Sequence, residues 1–87
     1  MSHLACADQP KNPMNEKQLK KFDLIRKEFK KSKASLANSA GIFLNKKYHF
    51  DLVRPGIALY GGNPFIDKNI KLHNVIKLKA KIIQIRQ

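Results

Sequence analysis

Leu19, Phe22, Ile25 and Phe29 recur every three or four residues, which places them on one face of a helix. Asn15 stands where a helix would start, and Gln18 three residues on completes a capping-box-like pair. Glu16 falls in the first turn, where the helix dipole favours negative charge, and Lys30, Lys31 and Lys33 fall at the far end, where it favours cations. Elsewhere the apolar runs are short. Leu4–Ala7, Ala34–Ala37 and Phe50–Val53 each read as a brief strand. Asn38-Ser39-Ala40-Gly41 turns the chain into a short helical piece through Leu44, and Gly56–Tyr60 reads as another. Gly61-Gly62-Asn63-Pro64 is a breaker cluster that predicts a boundary between residues 1–62 and 63–87. Beyond it Ile76, Leu78, Ala80 and Ile82 alternate with Lys77, Lys79 and Lys81, the period of a strand with a charged outer face. Ile83 and Ile85 shift that phase by one, as a bulge or burial of both faces would require. The strand pattern is still running at Gln87, and Leu4 has no apolar lead-in. Both ends therefore read as cuts through structure.

The order strand–helix–strand–short helix–strand points to consecutive βα units of a parallel sheet. The polar residues of interest fall where the strands stop. His3 lies near the first, Asn38 and Ser39 follow the second, and Arg54 and Gly56 follow the third. In a (β/α)₈ barrel, functional side chains gather at the C-terminal ends of strands, and the last loops often hold a phosphate. Each residue also has a plainer reading. A lone histidine is commonly a surface residue, Asn-Ser can simply cap a helix, and Arg-Pro-Gly can simply make a turn.

Length limits what these pieces can build. Eighty-seven residues are fewer than most single domains have. A chain of this size buries only about 60–65% of the surface exposed when unfolded. One small core fits, not two complete domains. Apolar residues make up 43% of the chain, so composition does not dictate disorder. The net charge of +12 permits contact with nucleic acid or an anionic membrane. Of the 18 basic side chains only Arg26, Arg54 and Arg86 are arginine, which leaves fifteen lysines. Lysines scattered over solvated faces account for this charge more simply than a nucleic-acid footprint, which favours arginine forks. Cys6 is the single cysteine, so no internal disulfide can form, which fits a reducing cytoplasm. No apolar run is long enough to span a bilayer, and the start lacks the basic region of a signal peptide. No metal centre is expected.

Three segments carry a family resemblance: Ser2-His3-Leu4-Ala5-Cys6-Ala7-Asp8, then Ser35-Leu36-Ala37-Asn38-Ser39-Ala40-Gly41-Ile42, then Phe50-Asp51-Leu52-Val53-Arg54-Pro55-Gly56-Ile57-Ala58-Leu59-Tyr60-Gly61. In wording, order and separation they resemble the alanine racemases, most closely the Gram-negative bacterial branch. The resemblance implies an α/β fold: the last βα units of a (β/α)₈ TIM barrel, then the first strand of a β domain. It also implies a pyridoxal 5'-phosphate enzyme that interconverts L- and D-alanine for peptidoglycan, working as a cytoplasmic homodimer. By resemblance Ser39 is the hydroxyl on the cofactor phosphate, and Gly56 and Ile57 offer backbone amides to it. Arg54 resembles the arginine that meets the pyridine nitrogen, and His3 the histidine that hydrogen-bonds to that arginine. Asn38 lies in the phosphate motif.

The same resemblance implies what these residues lack. The family's Schiff-base lysine belongs to the first barrel strand, and its catalytic tyrosine to the partner's second domain. None of the fifteen lysines matches the first motif, and neither Tyr48 nor Tyr60 matches the second. The substrate-carboxylate arginine also lies elsewhere. The segment is therefore expected to be an internal slice, inactive alone, with poor affinity for the cofactor unless a complementing racemase chain exists. The alternative is a small basic protein that binds polyanions, resting on net charge alone. It requires affinity for nucleic acid that falls steeply with salt. Little or no binding in low-salt buffer, measured by gel shift, would eliminate that alternative.

Overall fold

The computed structural model describes residues 1–87. Its longest element is α1, Met14–Glu28. Pro13 precedes it, where a missing N–H costs nothing, and Asn12 Oδ1 accepts from the Met14 N–H at 3.0 Å. The helix thus starts one residue before the expected cap. Asn15 faces inward instead, only 1% exposed, and donates through Nδ2 to the Gln9 carbonyl at 3.0 Å. Gln18 does not complete a capping box. Its amide accepts from Ala5 N–H at 2.9 Å and donates to His3 C=O at 3.0 Å, as a neighbouring strand would. Leu19 and Phe22 pack on the core, and Phe22 meets Phe50 edge-on at 5.0 Å. The apolar face was expected to run on through Ile25 and Phe29. Both are more than half exposed, because α1 stops at Glu28 with nothing packed over its last turns.

The core is built from Leu4, Ala7, Leu36, Ala37, Ala40, Tyr48 and Phe65. Leu36 and Ala37 are fully enclosed. Around them three extended stretches lie side by side. Ser2 N–H donates to Ser35 C=O at 3.0 Å, Leu52 N–H to Ala34 C=O at 3.2 Å, and Arg54 N–H to Ala37 C=O at 2.9 Å. The pairing advances in the same direction along both chains, and Ser35 and Leu52 form a parallel bridge. The expected strands are present only as this remnant. A ladder needs repeated, regular pairing, and here the hydrogen bonds amount to a single parallel bridge before the chain turns. The Asp51 carboxylate adds a link, accepting from Ala34 N–H at 2.7 Å.

The turns follow the sequence reading closely. α2 spans Ser39–Leu44, with the Asn38 side chain accepting from Gly41 N–H at 3.0 Å. A 3-10 turn at Lys46–Tyr48 and another at Ile57–Tyr60 complete the helical pieces. Gly61 has φ +85°, and a Cβ there would stand 2.4 Å from the His73 carbonyl oxygen. Only glycine allows that crossing. Past it, Phe65 returns to the core at 6% exposure, so residues on both sides of the breaker cluster share one interior. The expected strand at Ile76–Ile85 does not form. No segment lies alongside to pair with it, and Leu78 and Ile83 are 96% exposed. This tail stretches the molecule to 61 Å, with a radius of gyration of 17.3 Å against about 12 Å for a compact chain of this length.

One polar cluster ties α1 to the turn after α2. Glu16 accepts from Lys47 Nζ and from Tyr48 Oη, the latter at 2.9 Å. The Lys47 hydrogen bond, with that of Tyr48, holds the Glu16 carboxyl below its ordinary range. Burial, reinforced by the neighbouring Glu16 carboxylate, pushes the Tyr48 phenol up to about 12.

Two expectations follow. Only twelve residues are buried, so the core has little reserve: Leu36→Ala should cost about 2–4 kcal/mol and abolish the cooperative urea transition followed by circular dichroism. The raised phenol keeps its stabilising contribution below the ordinary tyrosine range and loses it as pH climbs through about 12. The lowered Glu16 acts oppositely, contributing above the ordinary carboxylate range and losing that contribution as pH falls. Phenolate absorbance should therefore show one tyrosine ionising near 12, and Glu16→Gln should move that step downward.

Candidate functional site

The ends of the three extended stretches open on one cleft of about 650 Å³. His3, Asn38, Ser39, Arg54, Gly56 and Ile57 all line it, so the structure brings every sequence-predicted site residue to a single place. Asp8 is the one carboxylate on its wall, and Phe65 closes the apolar side. A second groove, of about 580 Å³, runs between α1 and Ala34 beside Phe22, Ile25 and Phe29, and holds none of these residues.

Ser39 is buried at the first position of α2. Its Oγ accepts from the Gly56 N–H at 2.7 Å and from the Ala58 N–H at 3.3 Å. Both lone pairs are then engaged, so the hydroxyl hydrogen is the part left to offer a ligand. Nearby amides are also unspent. Those of Ser39 and Ala40, in the first turn of α2, and that of Ile57 meet no acceptor in the chain. Gly56 keeps the approach open, since a Cβ there would stand 3.8 Å from Ser39 Oγ, on the floor of the cleft. One hydroxyl hydrogen and several free amides suit an anion with several oxygens, such as a phosphate.

Arg54 supplies the positive charge. Its guanidinium donates to Ser35 Oγ, to the Ser2 carbonyl and, at 3.4 Å, to the Leu36 carbonyl. Three of the five N–H groups a guanidinium carries are thus held by the protein, and the others remain. The expected hydrogen bond between His3 and Arg54 is absent. His3 Nε2 meets the Asn38 amide nitrogen at 3.1 Å, and carbonyl and hydroxyl oxygens take the guanidinium instead. The sequence reading also missed Ser35 as a partner of Arg54, and Gln18 as the brace on the His3 segment. The only signal for Ser35 was its place in the Ser-Leu-Ala-Asn-Ser run. Gln18 carried a signal that pointed to a cap.

A buried hydroxyl, free turn amides and a braced guanidinium thus face one cleft at the ends of parallel segments. Comparison with known proteins shows which family the chain belongs to. Residues 1–64 match the model of the alanine racemase N-terminal domain. The chain is 49% identical to the alanine racemase of Rhodospirillum rubrum over 87 residues, covering all of this chain and 23% of that protein. It is 53% identical to the biosynthetic alanine racemase of Agrobacterium fabrum, again over 87 residues and covering 22% of that protein. Among solved structures, the alanine racemase of Acinetobacter baumannii superposes with a TM-score of 0.71 at 45% identity, over 78% of this chain and 19% of that one. The Bartonella henselae enzyme, solved with covalently bound pyridoxal phosphate, gives 0.68 at 48% identity, over 71% of this chain and 18% of that one. The chain belongs to the alanine racemase family. It spans less than a quarter of the length of these relatives.

The double acceptance at Ser39 makes a local prediction. Ser39→Ala leaves the Gly56 and Ala58 amides without their acceptor, at about 1–2 kcal/mol for a hydrogen bond of this kind. Native-state hydrogen exchange should show both amides losing protection by about tenfold or more, while those inside α1 keep theirs.

Proposed function

We propose that this chain forms the phosphate-holding side of the pyridoxal 5'-phosphate site of an alanine racemase, which interconverts L- and D-alanine in the bacterial cytoplasm for peptidoglycan. The observation that carries the reading is the convergence of Ser39, Arg54, Gly56 and Ile57 on one cleft. The residues present fit the cofactor: the Ser39 hydroxyl hydrogen and the Ile57 amide are free donors, and Gly56 leaves space beside them. When bound, the cofactor supplies the electron sink that lets the α-proton of alanine leave.

The chain's own residues then have three tasks. Ser39 and the turn amides would hold the phosphate. Arg54 would offer its guanidinium to the pyridine nitrogen. A guanidinium keeps its protons at any working pH, so it would donate a hydrogen bond there without giving up a proton. Ser35 and the Ser2 carbonyl hold the guanidinium from behind, which keeps its remaining N–H groups oriented. In this reading residues 1–62 are the closing βα units of a (β/α)₈ barrel, and residues 63–87 lead into a β domain. The lysine that attaches the cofactor and the tyrosine that works from the opposite face come from other segments, in a homodimer or through a complementing chain. Racemisation needs a base on each face of the α-carbon, and no lysine or tyrosine lines the cleft.

The purified chain with pyridoxal phosphate and L-alanine should produce no D-alanine, and sustained turnover would overturn this division of labour. Co-expression with the flanking segments of a relative should restore racemisation. In that complemented enzyme Ser39→Ala should weaken cofactor affinity by about 10–100-fold, the loss of one hydrogen bond to a charged group. Unchanged affinity would overturn the phosphate assignment.

A further inference from the structure

Asn38 was expected to stand among the phosphate ligands, yet its amide is fully occupied within the protein. Its Oδ1 accepts from the Gly41 N–H at 3.0 Å. Its Nδ2 donates to the Leu4 carbonyl at 3.3 Å and lies 3.1 Å from His3 Nε2. The first two contacts fix which end of the amide is which. Turned over, the nitrogen would confront the Gly41 N–H and the oxygen would confront the Leu4 carbonyl. An amide nitrogen carries two hydrogens and no acceptor. One hydrogen goes to Leu4, so the other points at His3.

We propose that Asn38 is a positioning residue that fixes His3 as the neutral tautomer protonated at Nδ1. A nitrogen facing an N–H must offer its lone pair, so Nε2 is unprotonated and the ring's one hydrogen sits on the other nitrogen. The same amide sets the start of α2 through Gly41 and fastens the Leu4 segment, so it aligns His3 with Ser39 across 35 residues of chain. Gln18 braces the histidine's segment from the other side. His3 lines the cleft beside Arg54, and the other ring nitrogen of this tautomer is a hydrogen-bond donor. The tautomer stands on hydrogen bonds alone. Its bearing on the cofactor rests on the racemase reading.

Long-range proton–nitrogen correlation on the ¹⁵N-labelled chain reads the tautomer directly, at a pH where histidines are neutral. The His3 signal is assigned by its loss in His3→Asn. Nε2 should show a pyridine-like shift and Nδ1 a pyrrole-like shift, and the reverse pattern would overturn the proposal. Asn38→Asp supplies the second readout. Aspartate caps helices as well as asparagine does, so the Gly41 contact and α2 are retained. The carboxylate offers only acceptors to His3, and the Nε2 shift should move from pyridine-like to pyrrole-like. A ring that keeps its original pattern in that variant would refute the role of Asn38. Neither measurement involves the cofactor, so failure of the racemase reading would appear separately, as absent racemisation after complementation.

Discussion

The oxygen of Ser39 takes amide hydrogens from residues seventeen and nineteen positions further along the chain, and the geometry of the cleft depends on that junction. It lies where α2 begins and where the turn after Arg54 begins. Both loops follow segments that pair in parallel, so both arrive at the same end of the remnant sheet. The hydroxyl then locks them together while its hydrogen stays available. A backbone carbonyl in this position would accept the same two amides and leave nothing to donate. A serine supplies both functions with one atom, and its burial excludes the water that would compete for either.

The core exists to hold this junction in place. Leu36 and Ala37 are enclosed immediately before Asn38, and Leu4 is enclosed immediately after His3. In each case an apolar residue anchors the segment and the polar residue beside it reaches the cleft. Gly41 lets Leu4 approach closely. A Cβ there would lie 2.8 Å from Leu4 Cδ1, so the close fit of α2 against the His3 segment depends on a missing methyl group. Packing and site geometry are thus set by the same few contacts.

Much of this was legible in the residues. The α1 pattern gave a helix within one residue of its start, because alternating faces leave a strong periodic trace. The Asn38 cap and the turn at Gly56 were legible because their chemistry is local. Partners far apart in the chain were not. Gln18 looked like a capping residue from its spacing to Asn15, but tertiary contact with His3 and Ala5 claimed its amide. The expected tie between His3 and Arg54 went to Asn38 and Ser35 for the same reason. The strand at Ile76–Ile85 was legible as a pattern but not realised as a structure, since period-two alternation describes a segment suited to pairing and says nothing about whether an edge is available.

The crossing at Gly61 governs how the two stretches of the molecule are oriented. The His73 carbonyl and the Asn74 backbone fill the space where any other residue would carry its side chain. The basic, isoleucine-rich tail therefore leaves the body of the protein in a direction set by backbone touching backbone, beside the core contacts of Phe65 and Ile70. Such a hinge has one rigid setting and no gradual slack. Adding a single carbon atom there would unseat the lever arm as a whole, while the Ser39 junction earlier in the chain kept its own hydrogen bonds.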